Sequence, residues 1–309
     1  MADVQVFGDC EVRRVVEWVG PIKGVDEMFP GTPQQAWTQN VDWLNPQFYV
    51  PADHAYRCAI QTWVVCCEDS TVVVDTGVGN GRDRPQAPLL ADLHTDFGDR
   101  LDAAGIDRFA VDYVVNTHIH YDHVGWNTML AGGEWVPTFP NARYLVPQRD
   151  RDYFHPDNAS RMRPPKNDDE AARFAGIRLV YADSIAPIEE AGQLVTWDGE
   201  YVIGDRLRLE LTPGHTPGSS VLWLDDGRGA VFAGDLLHCP LQVSRPDDVC
   251  SFDLDAEAAR TSRRDILDRA AQTDRTIFFA HCPGPGGLTV AFDDDQNYVI
   301  DDWASFPPI

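Results

Sequence analysis

The tightest constraint in this chain is the run Thr117-His118-Ile119-His120-Tyr121-Asp122-His123, which follows directly on Asp112-Tyr113-Val114-Val115-Asn116. The apolar stretch reads as a buried strand, and Asp122 to Asn127 as the start of a short helix. Three imidazoles and a carboxylate therefore meet at a strand end. A lone histidine is usually a core or surface residue with its hydrogen bonds met. Four ligand-type side chains this close would repel one another, or leave polar groups unmet, unless a cation held them. His118 and His120, two apart on an extended segment, cannot fill a coordination shell alone. The chain must fold so as to bring further ligands to them.

Candidates stand at later strand ends: His215 in Thr212-Pro213-Gly214-His215-Thr216-Pro217-Gly218, Asp235 in Ala233-Gly234-Asp235, and His281 in Phe279-Ala280-His281. Two hairpins support that arrangement. Trp63 to Cys67, a turn at Glu68-Asp69-Ser70, and Thr71 to Asp75 form the first; Ser220 to Leu224, a turn at Asp225-Asp226-Gly227, and Gly229 to Ala233 form the second. Each delivers an aspartate just past an apolar strand, Asp75 and Asp235. The parallel suggests an internally duplicated α/β sandwich whose loops converge along one edge.

The remaining segments fill in the plan. Residues 24–57 read as an irregular arm, broken by Pro30, Gly31, Pro33, Pro46 and Pro51 and rich in large apolar surface at Trp37, Trp43, Phe48 and Tyr49. Such an arm must pack on its own subunit or on another. Strands begin at Ile60, Leu89 to Ala104 reads as a helix, and residues 147–175 form a polar, lid-like insertion. Asp255 to Ala271 is an amphipathic helix with Ala259, Ile266, Leu267 and Ala270 inward, and Thr276 to Ala280 is a last strand. One domain over residues 1–309 accommodates all of this. Trp37, Trp43, Phe48, Trp126, Phe154 and Met162 are candidate walls of an apolar pocket. Cys239 and Cys282, beside site residues, are explained as well by burial as by ligation.

Taken together, the H-x-H-x-D-H run, the Gly-His-Thr-x-Gly histidine, the Gly-Asp pair and the late histidine resemble the metallo-β-lactamase superfamily, in the same order from Ile60 to His281. The resemblance implies a four-layer αββα sandwich. It implies that His118, His120 and His215 hold one divalent metal ion, that Asp122, His123 and His281 hold a second, and that Asp235 bridges both. Asp75 would then orient a ligand imidazole, besides capping the turn before Gly77. The cofactors implied are two divalent ions, zinc first, with manganese, iron or cobalt also suited to such ligands. A histidine at 120, where the diiron flavoprotein branch has glutamate, argues against an oxygen-reducing centre. None of the seven ligand positions is lost, as it would be in a non-catalytic relative.

Within the superfamily the arm and His123-Val124-Gly125-Trp126-Asn127 are most similar to the N-acyl-homoserine lactonase-like and organophosphate-hydrolase-like subgroup. That similarity implies ester or lactone hydrolysis by a metal-bridging hydroxide, with Asp122 passing a proton to the leaving group. The lactonases carry a tyrosine three residues after the bridging aspartate. Here the position is His238, which an oxyanion could also use as a donor, but the exchange speaks against acyl-homoserine lactone itself. β-Lactamase, phosphotriesterase and thioesterase activities are the alternatives on such a centre.

Charge and composition bound the partners. The chain has 25 Lys plus Arg against 49 Asp plus Glu, a net charge of -24, which repels polyanions. That argues against nucleic acid and anionic membranes as partners, and a small-molecule substrate is expected, with a homodimer as a role for the arm. Seven cysteines, at 10, 58, 66, 67, 239, 250 and 282, show neither C-x-x-C pairs nor a dense framework. A reduced, cytoplasmic protein without signal peptide or spanning helix is the expectation.

Overall fold

The computed structural model describes residues 4–161, 165, 168–307 and 309. The chain opens with β1 (Val4–Phe7) and β2 (Cys10–Gly24), then three short helices, α1 (Val25–Met28), α2 (Gln34–Gln39) and α3 (Val41–Leu44). β3 (Tyr49–Val50), β4 (Ala55–Cys66), β5 (Thr71–Val74), α4 (Phe97–Ala103) and β6 (Tyr113–Val115) follow. A small hairpin, β7 (Thr128–Ala131) and β8 (Glu134–Pro137), precedes β9 (Arg143–Pro147), α5 (Gln148–Phe154), α6 (Asp168–Val180), α7 (Ala186–Glu190) and β10 (Leu194–Trp197). The second half holds β11 (Glu200–Ile203), β12 (Leu207–Leu211), β13 (Ser220–Leu224), β14 (Ala230–Phe232), α8 (Leu241–Ser244), α9 (Ala256–Thr273), β15 (Thr276–Phe278), β16 (Gly287–Phe292) and β17 (Tyr298–Trp303).

Two sheets result. One runs β1-β2-β4-β5-β6-β9-β10 with β3 beside β4; the other runs β11 to β17 in sequence order. Side-chain alternation puts Val65, Val72, Val74 and Val115 of the first sheet against Leu209, Leu222, Leu224 and Phe232 of the second. The intervening residues Val64, Val73 and Val114 face outward onto Phe97 and Leu101 of α4. The outer face of the second sheet, Val221, Trp223, Val231 and Ile277, is covered by Ile266, Leu267 and Ala270 of α9 and by the arm. The order is helix, sheet, sheet, helix, the four-layer sandwich expected. α9 starts where the Asp255 carboxylate caps the backbone N–H groups of Glu257 and Ala258. Burying Ile266 and Leu267 completely contributes about 1.5–3 kcal/mol each.

The duplication extends beyond the hairpins. In each sheet the antiparallel pair, β4–β5 or β13–β14, is joined by a parallel strand, β6 or β15, whose end runs into histidines. Both aspartates and both histidine groups thus leave the sheets along one edge.

Several expectations change. The first sheet begins at Val4, well before Ile60, because β1 pairs with β2, and the charged residues and register shifts of β2 hide a strand that pairs with β4 from Glu11 to Gly24. The helix expected over Leu89 to Ala104 shrinks to α4; Asp92 takes a left-handed φ of 51°, which an α-helix cannot continue through. The helix expected after Asp122 is a single 3₁₀ turn at Gly125–Asn127. The arm folds into α1 to α3 and packs on its own chain, with Trp37 and Phe48 in the core and Phe48 stacked on Trp303. Its aromatics therefore give no reason for a second subunit. Cys10 and Cys67 form a disulfide, since the β2–β4 pairing of Glu11 with Cys66 sets them side by side. That corrects the all-thiol expectation, and with it the argument from cysteines to a reducing compartment. Among the described residues no helix is long and apolar enough to cross a membrane.

Candidate metal centre

His118, His120, Asp122 and His123 leave β6 on the loop that turns back into the sandwich. Asp75 follows β5 and pins that loop. Its Oδ1 accepts from the Thr117 backbone N–H at 2.8 Å, and its Oδ2 accepts from Thr117 Oγ1 at 2.8 Å and faces His123 Nδ1 at 2.9 Å. His215 arrives on the loop after β12, Asp235 after β14 and His281 after β15. Gly214 lets the His215 loop lie on α9: its φ is 144°, and a Cβ there would collide with the Ala259 backbone.

Outer partners fix the tautomers. His123 Nδ1 faces Asp75, His215 Nδ1 faces Asp253 Oδ1 at 3.0 Å, and His281 Nδ1 faces the Ala59 carbonyl at 2.9 Å. Each of these acceptors demands an Nδ1–H, leaving Nε2 with a lone pair. Thr117 Oγ1 donates to Asp75 and so accepts from His118 Nδ1 at 3.1 Å, with the same result. The free nitrogens point at one another. His118 Nε2 and His215 Nε2 each lie 3.0 Å from His120 Nδ1, and His123 Nε2 lies 3.2 Å from His281 Nε2.

Asp235 stands between the two groups. Its Oδ2 is 3.2 Å from His215 Nε2 and 3.7 Å from His118 Nε2; its Oδ1 is 3.1 Å from His123 Nε2 and 3.0 Å from His281 Nε2. Oδ1 is nevertheless buried without an aligned hydrogen bond. Asp122 completes the second group, 3.6 Å from His281 and 3.9 Å from His123. One group of possible ligands is thus His118, His120, His215 and Asp235, the other Asp122, His123 and His281. Imidazole nitrogens converging on one another and on a shared carboxylate are what a divalent cation satisfies.

The surrounding carboxylates divide the imidazoles into two kinds. Burial and the neighbouring imidazoles hold His118 and His120 well below the usual histidine range. At His123 burial opposes the charge, but Asp235, Asp75 and Asp122 outweigh it and raise the ring well above that range. At His215 burial is outweighed by Asp235 and Asp253, which lift it to about 9.

The model of the metallo-β-lactamase superfamily matches residues 55–281, which take in all of these residues. The chain belongs to the metallo-β-lactamase superfamily. It is similar to "Probable metallo-hydrolase YflN" of Bacillus subtilis (strain 168), 28% identical over 132 residues, 42% of this chain and less than half, 46%, of that protein. Among solved structures it superposes on AbOPH, described as a hydrolase in the β-lactamase superfamily, with TM-score 0.80, 23% identity, and 100% and 97% of the two chains covered. It also superposes on AidC, described as a dizinc quorum-quenching lactonase, with TM-score 0.71, 20% identity, and 98% and 97% covered. At such identities these structures share the fold with this metallo-β-lactamase superfamily member.

His238, the remaining sequence candidate, is buried, with Nε2 3.2 Å from Asp235 Oδ2 and 3.6 Å from Cys250 Sγ, and Nδ1 without a partner. With its N–H directed at Asp235, the imidazole offers an acceptor on its other side. Sequence reasoning missed Asp253 altogether. It missed Arg263, whose buried guanidinium donates to the carbonyls of Leu236, Pro246 and Asp248 and lies 3.7 Å from Asp253. It also missed Asp150, fully buried, which accepts from the N–H groups of Ile119 and Gly218 and from Thr216 Oγ1 and so joins two ligand loops. Glu17 does the same for the loop after Asp75, accepting from Val78, Gly79 and Trp126 Nε1.

A cleft of about 1580 Å³ opens on His120, Asp122, His215, Asp235, His238 and His281. Of the expected aromatic walls only Phe154 lines it. Trp37, Trp43, Phe48 and Trp126 pack elsewhere, and Met162 lies outside the described residues. Residues 147–175 do contribute, through α5 and α6.

Proposed function

We propose that the protein is a dinuclear metal-dependent hydrolase acting on an ester or lactone. The observation that carries this reading is the Asp235 carboxylate, one oxygen toward His118 and His215 and the other toward His123 and His281. His118, His120 and His215 would hold one ion, Asp122, His123 and His281 the other, and Asp235 both; zinc suits this donor set. When bound, such a pair supplies Lewis acidity toward a carbonyl or phosphoryl oxygen and makes water nucleophilic near neutral pH.

The chain's own residues do the rest. Asp75, Asp253, Thr117 and the Ala59 carbonyl hold the imidazoles in one tautomer, so no reorganisation is needed when substrate arrives. Asp122 lines the cleft beside His281 and would take the proton that the attacking water loses and pass it to a departing alkoxide. Tyr56, Cys58, Ile119, Phe154 and Phe252 give the cleft the apolar lining that an acyl or aromatic small molecule requires. The lactonase activity named for AidC, which shares the fold, is consistent with ester and lactone carbonyls as targets.

A panel of γ-lactones, aryl esters, a chromogenic cephalosporin and an aryl phosphotriester tests the assignment. Turnover of esters or lactones well above the other two is expected. Cephalosporin or phosphotriester turnover without ester or lactone cleavage would overturn it.

A further inference from the structure

One wall of the cleft is built by α5 and α6. Arg173, Ile177 and Val180 of α6 line it at spacings of four and three residues, which place them on one helical face, with Phe174 alongside. The charged groups around the cleft are almost all engaged. Arg149 is held by Asp198 at 2.8 Å, and Arg151 by Glu189 at 2.6 Å. Lys23 lies 3.7 Å from Glu27 and over the Phe252 ring. Among the carboxylates, Asp152 faces Arg151, Asp157 faces His155, and Asp122 and Asp235 face the histidines.

Arg173 is the exception. It is half-buried, and among the described residues no side chain or carbonyl hydrogen-bonds or pairs with its guanidinium. Its charge nonetheless reaches the centre, where it disfavours a proton on His120. Next to it on the same helix, Gly176 leaves room for the carboxamide of Gln86, which any Cβ there would strike. The Gln86 Oε1 is buried without a partner, and Gln86 also lines the cleft. That oxygen can only accept, so it offers an anion nothing, and Arg173 is the planar five-donor cation on the wall of the cleft that also opens on His120 and Asp235.

A cation unpaired among the described residues in a partly desolvated cleft, in a chain of net charge -24, calls for an anion. We propose that Arg173 anchors a carboxylate or similar anionic group of the substrate, on the limb remote from the bond to be cleaved. The inference rests on the hydrolytic reading of the centre and narrows it to an anionic ester or lactone. The protein's general negative field repels free anions, so the selection is local: only an anion whose scissile carbonyl reaches His120 and Asp235 gains from Arg173.

Mono-4-nitrophenyl glutarate and uncharged 4-nitrophenyl pentanoate, matched in chain length, test this with wild type, Arg173→Gln and Arg173→Lys. Arg173→Gln should lower kcat/KM for the glutarate ester about tenfold or more, mainly through KM, and change the pentanoate ester less than about twofold. Arg173→Lys should recover part of the loss, and added salt should weaken the wild-type preference. Equal losses on both esters, or no loss on either, would overturn the proposal. Should wild type cleave neither ester, the hydrolytic reading is what fails. Calorimetric binding of glutarate then decides the anion subsite: about tenfold weaker binding to Arg173→Gln supports it, and equal binding refutes it.

Discussion

Asp75→Asn probes the whole construction with one atom. Asn tolerates the left-handed φ of 55° at this position as Asp does, so the backbone is not strained by the change. Oδ1 accepts the Thr117 backbone N–H and must remain an oxygen, which puts the new NH₂ at the Oδ2 position, facing Thr117 Oγ1 and His123 Nδ1. Two donors then confront each other at His123. The ring escapes by moving its proton to Nε2, the nitrogen that faces Asp235 and His281. Thr117 also loses the acceptor for its hydroxyl and turns toward His118 Nδ1, so a weaker disturbance reaches the first ligand group. Replacing such an outer partner typically costs 10–100-fold in metal affinity, about 1.4–2.7 kcal/mol. The assay is chelator competition with metal analysis on wild type and variant, with circular dichroism and thermal melting to establish that both are folded. The expected result is one ion weakened within that range and the other weakened less. Two ions retained with affinities within about twofold of wild type would refute the tautomer argument.

Reduction of the Cys10–Cys67 disulfide, or a Cys10→Ser and Cys67→Ser pair, should lower stability by about 2–4 kcal/mol, as expected for closing a loop with a sequence separation of 57. Metal content should be unaffected, because the bridge lies at the far end of β4 from the ligands; denaturant melts with metal analysis check both. At Asp150 burial lifts the carboxyl to about 6, against the hydrogen bonds from Ile119, Thr216 and Gly218. Because the folded state holds this proton more tightly than the unfolded chain, its contribution is full below about pH 4 and is lost as pH rises through 6. Wild-type stability measured relative to Asp150→Asn should fall over that window, and a flat difference would count against it. Asp122→Asn should slow turnover of poor leaving groups more than of 4-nitrophenol, an effect read from kcat at saturating metal; full metal and full turnover would remove Asp122 from proton transfer. His238→Phe should loosen metal retention more than it slows the metal-saturated enzyme. A loss of about 10²–10³ in kcat with full metal would instead make His238 an oxyanion donor.

The fold and the candidate ligands that it gathers were legible because both rest on local signals. Val64, Val73 and Val114 alternate with Val65, Val72, Val74 and Val115, and each potential ligand follows one of these apolar strands or its counterpart in the second sheet. What the sequence concealed is contact between distant segments. Asp253 sits in an aperiodic loop before α9 and meets His215 only because Gly214 brings the loops together. Arg263 looks like the solvent face of an amphipathic helix, yet it is fully buried, since three carbonyls converge on it. Cys10 and Cys67 carry no spacing signal; their pairing follows from the β2–β4 register, and β2 itself was masked by its charges. The arm's aromatics demanded burial, but composition alone could not say whether the cover was its own chain.

Metal analysis of the protein purified without chelators, followed through depletion and reconstitution with 4-nitrophenyl ester and γ-lactone turnover monitored at each stage, tests the central claim most directly. The account predicts about two equivalents of divalent ion per chain, loss of hydrolysis on depletion, and its return with metal. Fewer than one equivalent, or hydrolysis indifferent to depletion, would contradict it.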